Sequence, residues 1–479
     1  MTDTLAALVA RNAREHPDEL AFIESDSGVA ITWREYDEHS SQMAATLAAA
    51  YAPGDRVALQ LRDGPAVHAV MLACEKAGIV AVGIGSRAGA REVAHLVDRT
   101  GARTLLTVEP PPGARGPEHP MGARDLWFLN STSGTTGLPK IVMHDQSRWF
   151  AFNDLAQRIA RLTPGDVFLS ALPAPFGFGL WTAHFTPTIL GAPCIVCARF
   201  DADAVLAAIE HYGVTVLAAV STQFVMLLNS PAVDAYDLSS LRVLFTGGEM
   251  VPYERAREFE RRTGAAVLQF YGSNETGALS ATTPDDPPEL RLRTAGRVIP
   301  EMRVRLLDPD TDADITATGG PGVPAGNGPT LCLGYWDDAT ANRELWTTDG
   351  WMRMGDLATI DPDGYLTVVG RTSDVIIRGG KNVSAAQVED EVGSHPAVAL
   401  CAAVAMPDET FGERVCVFVE MRSGHDALTL ETMNAHLAER GVGKELWPER
   451  LVVLGALPRS SGGKLAKGEL AAIARGFAT

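Results

Sequence analysis

The sequence predicts an α/β protein: a large two-subdomain N-terminal α/β body followed by a small α+β domain. Three observations carry this reading. The chain has 479 residues, 46% apolar and 21% charged, which is ordinary for a globular protein and long enough for about three domain-sized units. Its first hundred or so residues alternate strand and helix patterns, the signature of a mostly parallel sheet. Near residue 371 the pattern changes, and the remaining stretch to residue 479 is long enough for a separate small domain.

The elements justify themselves in order. Thr32-x-x-Glu35 is a capping box, in which each side chain satisfies a free N–H at a helix start. Tyr36, Met43 and Leu47 then recur at helical spacing. Residues 56–61 and 79–84 are short β-rich runs separated by a helical segment, hence a βαβ unit. The Pro/Gly-rich stretches 110–120 and 318–329 read as loops. After residue 371, strands are expected at 399–404, 415–420 and 450–453, and helices at 385–393 and 428–439. The expected domains are therefore 1–371 and 374–479.

Charge and composition exclude several functions. Against 41 basic side chains stand 59 acidic ones, a net −18, which disfavours nucleic-acid and anionic-membrane surfaces. There is no run of 18 apolar residues for a membrane span, and Asp3, Glu15, Asp18 and Glu19 are unlike a signal peptide, so a cytoplasmic location is expected. Six cysteines make no disulfide framework. Cys194 and Cys197 form a CxxC, but without a second pair or clustered histidines they read as parts of a buried strand.

The most informative stretch is Ser131-Thr-Ser-Gly-Thr-Thr-Gly-Leu-Pro-Lys140. Small hydroxyl and glycine residues in succession cannot pack a core, and ordering them costs chain entropy. Their physical use is a loop whose N–H and hydroxyl groups wrap a phosphate chain, with a lysine adding charge. Apolar runs at 126–129 and 141–142 flank it as buried strands, which argues against a surface linker.

With this loop the sequence resembles the acyl-adenylate-forming superfamily of acyl-CoA synthetases, luciferases and adenylation domains. Further motifs occur in that family's order: Phe245-Thr-Gly-Gly-Glu249, Tyr271-Gly-Ser-Asn-Glu-Thr276, Gly350-Trp-Met-Arg-Met-Gly-Asp356, Gly370-Arg-Thr-Ser-Asp374 and Pro458-Arg-Ser-Ser-Gly-Gly-Lys464. The resemblance implies ATP, Mg²⁺ and CoA as reactants or cofactors. It also implies a small carboxylic acid substrate and a mobile C-terminal domain. Lys464, Glu275 and Thr135 would be catalytic, with Glu275 and Thr135 on Mg²⁺. Ser133, Gly134, Thr136, Gly137, Lys140, Gly248, Glu249, Tyr271, Gly272, Asn274, Asp356 and Arg371 would bind nucleotide. A hard carboxylate such as Glu275 beside a phosphate loop suits Mg²⁺, with a helix N-cap or a surface salt bridge as the alternative for the residue by itself.

Departures from the family bear on the details. Asn274 stands where threonine is usual, Ser373 where the hinge has aspartate or lysine, and Met354 where threonine often precedes Gly-Asp. Pro173-Ala-Pro-Phe-Gly-Phe-Gly179 puts Phe176 at a common histidine position. With Phe178, Trp181, Phe224 and Gly247 it implies a compact pocket for an aromatic or hydrophobic acid. The acyl acceptor is expected to be CoA. A separate phosphopantetheine carrier protein, a nitrogen nucleophile, and a non-catalytic nucleotide- or acyl-binding role are the alternatives.

Overall fold

A computed structural model describes residues 4–114, 119, 121–132, 139–249, 251–371, 375–378, 381–422, 424–425, 428–459 and 464–477. Two large sheets form the N-terminal body. One has nine strands, its centre parallel: Ala266–Ser273, Val243–Thr246, Val216–Ala218, Phe168–Ser170, Cys194–Val196 and Leu20–Glu24 in spatial order. The other has six, including Ile141–His144, Phe128–Ser131, Val80–Gly83 and Arg56–Leu59.

The expected βαβ unit is present, with Arg56–Leu59 and Val80–Gly83 parallel around the buried helix Pro65–Lys76. The capping box at Thr32 and Glu35 opens the helix Trp33–Ala50, whose Tyr36, Met43 and Leu47 are buried. Cys194 and Cys197 are buried free thiols, in and just after a strand, and burial pushes both up from the ordinary thiol range. One expectation fails. The supposed loop 318–329 contains the strand Val323–Asn327, paired antiparallel with Arg303–Leu307. Its Pro324 pairs opposite Leu306 in a small three-stranded sheet, so the Pro/Gly content did not mark a loop here.

The C-terminal domain has its own five-stranded sheet, with the long strand Gly412–Met421 at its centre and its hairpin partner Val398–Asp408 at one end. The helices Ala385–Gly393, Leu430–Glu439 and Lys467–Arg475 belong to this domain. It docks on the body through an apolar cluster holding Phe224, Val225 and Phe259 together with Leu400, Ala402, Val404 and Phe418. Arg255 closes the seam by donating to the carbonyl of Val398 at 3.0 Å. No helix among the described residues is long and apolar enough to cross a membrane.

A stack of four rings crosses the body: Phe22 on His68 (4.3 Å between centroids), His68 on His184 (5.3 Å) and His184 on Trp127 (5.9 Å). Burial pulls His68 down to about 3 and holds His184 and His144 well below the usual imidazole range. The unfolded chain therefore binds protons below about pH 6.5 that the native chain refuses, and stability falls as pH falls. Asp63, raised to about 6, and Glu75, raised to about 7, work in the opposite sense, as do Glu92, Glu249 and Asp390, while His395 and His436 add to the first group. Of these groups the three core histidines are moved furthest, and they set the sign. The thermal midpoint should be lower at pH 5 than at pH 7.5. An equal or higher midpoint at pH 5 would contradict the buried neutral histidines.

Candidate active site

Where the C-terminal domain meets the body there is a cavity of about 890 Å³, lined among others by Gly247, Gly248, Glu249, Tyr271, Gly272, Asp356 and Lys464. Gly247 and Gly248 come directly after the parallel strand Val243–Thr246, so they sit at its C-terminal end, where open α/β sheets bind ligands. Gly248 has φ +77°, a conformation that side chains resist, and this turns its carbonyl toward the C-terminal domain. Lys464 Nζ donates to that carbonyl at 2.8 Å.

Glu249 beside it accepts from the Thr222 N–H at 3.0 Å. Burial raises its carboxyl above the ordinary range, with Lys464 pulling it back down. Tyr271 donates its hydroxyl to Asp356 at 2.9 Å, and Asp356 is 8% exposed. Gly272 is required by a close approach, since a Cβ there would lie 1.7 Å from the carbonyl oxygen of Gly277 across the hairpin.

That hairpin turn presents Asn274 and Glu275. The Tyr335 hydroxyl donates to Glu275 Oε1 at 2.7 Å, while Lys140 lies over the Tyr335 ring at 4.9 Å. Among the described residues no donor reaches Glu275 Oε2. A carboxylate oriented through one oxygen, with the other available, fits a hard cation shared with phosphate oxygens. No cluster of three metal-binding side chains exists among the described residues.

Behind the turn runs a buried polar network. Arg148, 2% exposed, donates to the carbonyls of Asn274 (2.9 Å) and Glu275 (3.4 Å) and to His144 Nδ1 (2.7 Å). His144 Nε2 meets Asn130 Oδ1 at 2.8 Å, and Asn274 Nδ2 donates to the same oxygen at 2.7 Å. Asn130 Nδ2 donates to the carbonyl of Pro175 at 3.0 Å. The amide of Asn274 thus has a specific bond that explains its fit in this position.

The structure does not treat the expected acid pocket uniformly. Phe176 is half-buried, at the start of the segment whose Gly177 faces Asn274, where a Cβ would lie 2.7 Å from Oδ1. Phe178 stacks on Trp181 at 5.6 Å. Trp181 itself is 4% exposed and packed among Phe152, Phe245 and Phe270 in the core, and does not line the cavity. Phe224 is a correction. The helix Ser221–Asn229 turns Ser221, Thr222 and Val225 to the cavity, whereas Phe224 is fully buried against Phe259 at 5.8 Å.

Ser133, Gly134, Thr135, Thr136, Gly137 and Ser373 lie outside the described residues. Arg371 ends the strand Leu366–Arg371, its backbone paired with Asp356. Sequence reasoning missed Tyr335, Arg148, His144 and Asn130. Nothing in the sequence marks Arg148, because an arginine in the first turn of a helix normally reads as a solvated charge.

Residues 9–120 and 108–336 match the family described as AMP-binding enzyme, and residues 387–464 match the AMP-binding enzyme C-terminal domain. The chain is 30% identical to the medium-chain fatty-acid–CoA ligase of Escherichia coli strain K12, over 97% of this chain and 89% of that one. It is 31% identical to a feruloyl-CoA synthase of Amycolatopsis, over 97% and 98%. The o-succinylbenzoate coenzyme A synthetase of Bacillus subtilis, solved with ATP and magnesium ion, superposes with a TM-score of 0.83 at 26% identity, covering 97% of this chain and 98% of that one.

Proposed function

The chain belongs to the AMP-binding enzyme family and is an AMP-forming carboxylate ligase, and on that premise we propose that it joins a small aromatic or hydrophobic acid to coenzyme A through an acyl-adenylate. The observation that carries the reading is the meeting of Lys464 with the Gly248 carbonyl, in one cavity with Glu249, Tyr271 and Asp356.

Each residue has work suited to its chemistry. Asp356, oriented by Tyr271, accepts hydrogen bonds from the ribose diol. Gly248, Glu249 and Gly272 shape the adenine end, with Arg371 nearby on the ribose side. The hydroxyl and glycine loop of Ser133, Gly134, Thr135, Thr136 and Gly137, with Lys140 at its stem, holds the phosphates. Glu275 and Thr135 would hold Mg²⁺, which when bound neutralises phosphate charge. An oxygen of the substrate carboxylate then attacks the α-phosphorus. The bond to the bridging oxygen breaks, and pyrophosphate leaves with the electron pair. Lys464 places its charge where negative charge grows, so positioning and electrostatics supply the catalysis. In the second step the thiolate of coenzyme A attacks the acyl carbon, the bond to AMP breaks, and the thiol proton passes to solvent.

The domain boundary is placed at 371/374, a reading supported by Arg371 pairing with Asp356 while Val375–Arg378 pairs into the C-terminal sheet. A cytoplasmic location is supported by six unpaired cysteines.

ATP–pyrophosphate exchange across a panel of small aromatic and aliphatic acids tests the function. Acid-dependent exchange, then AMP release on adding coenzyme A, is expected. Exchange without that release would move the acceptor to a carrier protein or a nitrogen nucleophile, and no exchange with any acid would leave a binding role.

The same assay tests the pocket. Phe176→Ala should weaken use of the native acid and favour bulkier ones, with the KM for ATP unchanged, because adenine and phosphate contacts lie on other segments. A fixed acid preference with a collapse in ATP affinity would make Phe176 a core residue.

A further inference from the structure

The network behind Glu275 has a direction. A guanidinium only donates, so His144 must accept from Arg148 at Nδ1 and carry its proton on Nε2. That proton goes to Asn130 Oδ1, which also takes the amide hydrogen of Asn274. The amide of Asn130 is left to donate, and it reaches Pro175 in the segment that begins the acid pocket. Asn130 and His144 stand on the strands Phe128–Ser131 and Ile141–His144, the two stems of the hydroxyl and glycine loop. The Thr132 N–H closes these stems by donating to the Lys140 carbonyl at 2.9 Å. One chain of donors therefore ties together three segments far apart in sequence: loop stems, metal-side turn and acid-side wall.

A buried arginine is a costly way to obtain stability, since desolvating its charge takes back most of what its contacts give. Its hydrogen bonds to protein go to the two carbonyls of one turn and to the histidine that continues the chain. We propose that Arg148 is a positioning residue: by gripping the Asn274–Glu275 turn directly, and Pro175 through His144 and Asn130, it holds the Glu275 carboxylate and the Pro175 segment in register with the strands Phe128–Ser131 and Ile141–His144. This rests on the reading of Glu275 as a Mg²⁺ ligand. Partners of this kind, one step removed from the metal, are worth about 10- to 100-fold in metal affinity.

The test is calorimetric binding of α,β-methylene-ATP, which cannot transfer its α-phosphate, to the full chain with and without Mg²⁺. In Arg148→Met the gain in affinity that Mg²⁺ confers should shrink by about tenfold or more, while the metal-free affinity stays within about twofold because the adenine and ribose contacts are untouched. Arg148→Lys keeps the charge but loses the planar fork, so it should shift in the same direction and raise the KM for the acid in pyrophosphate exchange. Should the methionine variant fail to fold, the lysine variant decides. A lysine variant with the full Mg²⁺ gain would reduce Arg148 to a buried charge and overturn the proposal. So would a lower thermal midpoint with the Mg²⁺ gain intact. If the parent chain itself shows no Mg²⁺ gain, the assignment of Glu275 fails first, and the proposal falls with it.

Discussion

Replacing Lys464 by alanine should slow adenylate formation by about two orders of magnitude or more and leave the chain folded. Its side chain sits half-buried at the cavity edge, so truncation removes little packing, while Nζ is held by the Gly248 carbonyl in the cavity that Glu249, Tyr271 and Asp356 also line. In the proposed mechanism this charge is preorganised and acts on charge that develops only as pyrophosphate departs. Removing one such group typically costs about 10² in rate or more, equivalent to roughly 2.7 kcal/mol of barrier. Pyrophosphate exchange measures the loss, and an unchanged thermal midpoint shows that the loss is chemical. Exchange near the parent rate would remove Lys464 from the mechanism.

The second large effect is expected from Glu275→Gln. The amide keeps the shape and one acceptor oxygen, so the Tyr335 hydroxyl keeps a partner and the turn keeps its form. The anionic oxygen is lost, the ligand type a hard divalent cation selects. The Mg²⁺ concentration for half-maximal exchange should rise, and the first half-reaction should slow, with the affinity for AMP retained. Unchanged Mg²⁺ dependence would make Glu275 structural.

What the sequence disclosed and what it hid divide along physical lines. The capping box at Thr32, the βαβ unit at 56–84 and the C-terminal helix Ala385–Gly393 were legible because local hydrogen bonding and periodicity specify them. Glu249, Tyr271, Asp356 and Lys464 were legible because each lies in a compact motif. Phe224 was misplaced because a helix carries a cavity-facing and a core-facing side within one turn, and only the packing against Phe259 decides between them. Arg148, His144 and Asn130 stayed hidden for a different reason. Their meaning is their convergence, across 126 residues in the case of Arg148 and Asn274, and no local pattern encodes a contact of that span.

The apolar seam between the two domains has a thermal consequence. Leu400, Ala402, Val404 and Phe418 share one buried cluster with Val225 and Phe259, so lifting the C-terminal domain away wets surface that is dry when Lys464 is in place. Exposing apolar surface carries a positive heat-capacity change, and such contacts weaken on cooling. If the C-terminal domain lifts as the family resemblance implies, the closed arrangement would be favoured by moderate warmth and chilling would shift the balance toward the open one. Temperature would then act through the contact between the two domains as well as through the chemical barrier, and a plot of log rate against reciprocal temperature should bend rather than run straight.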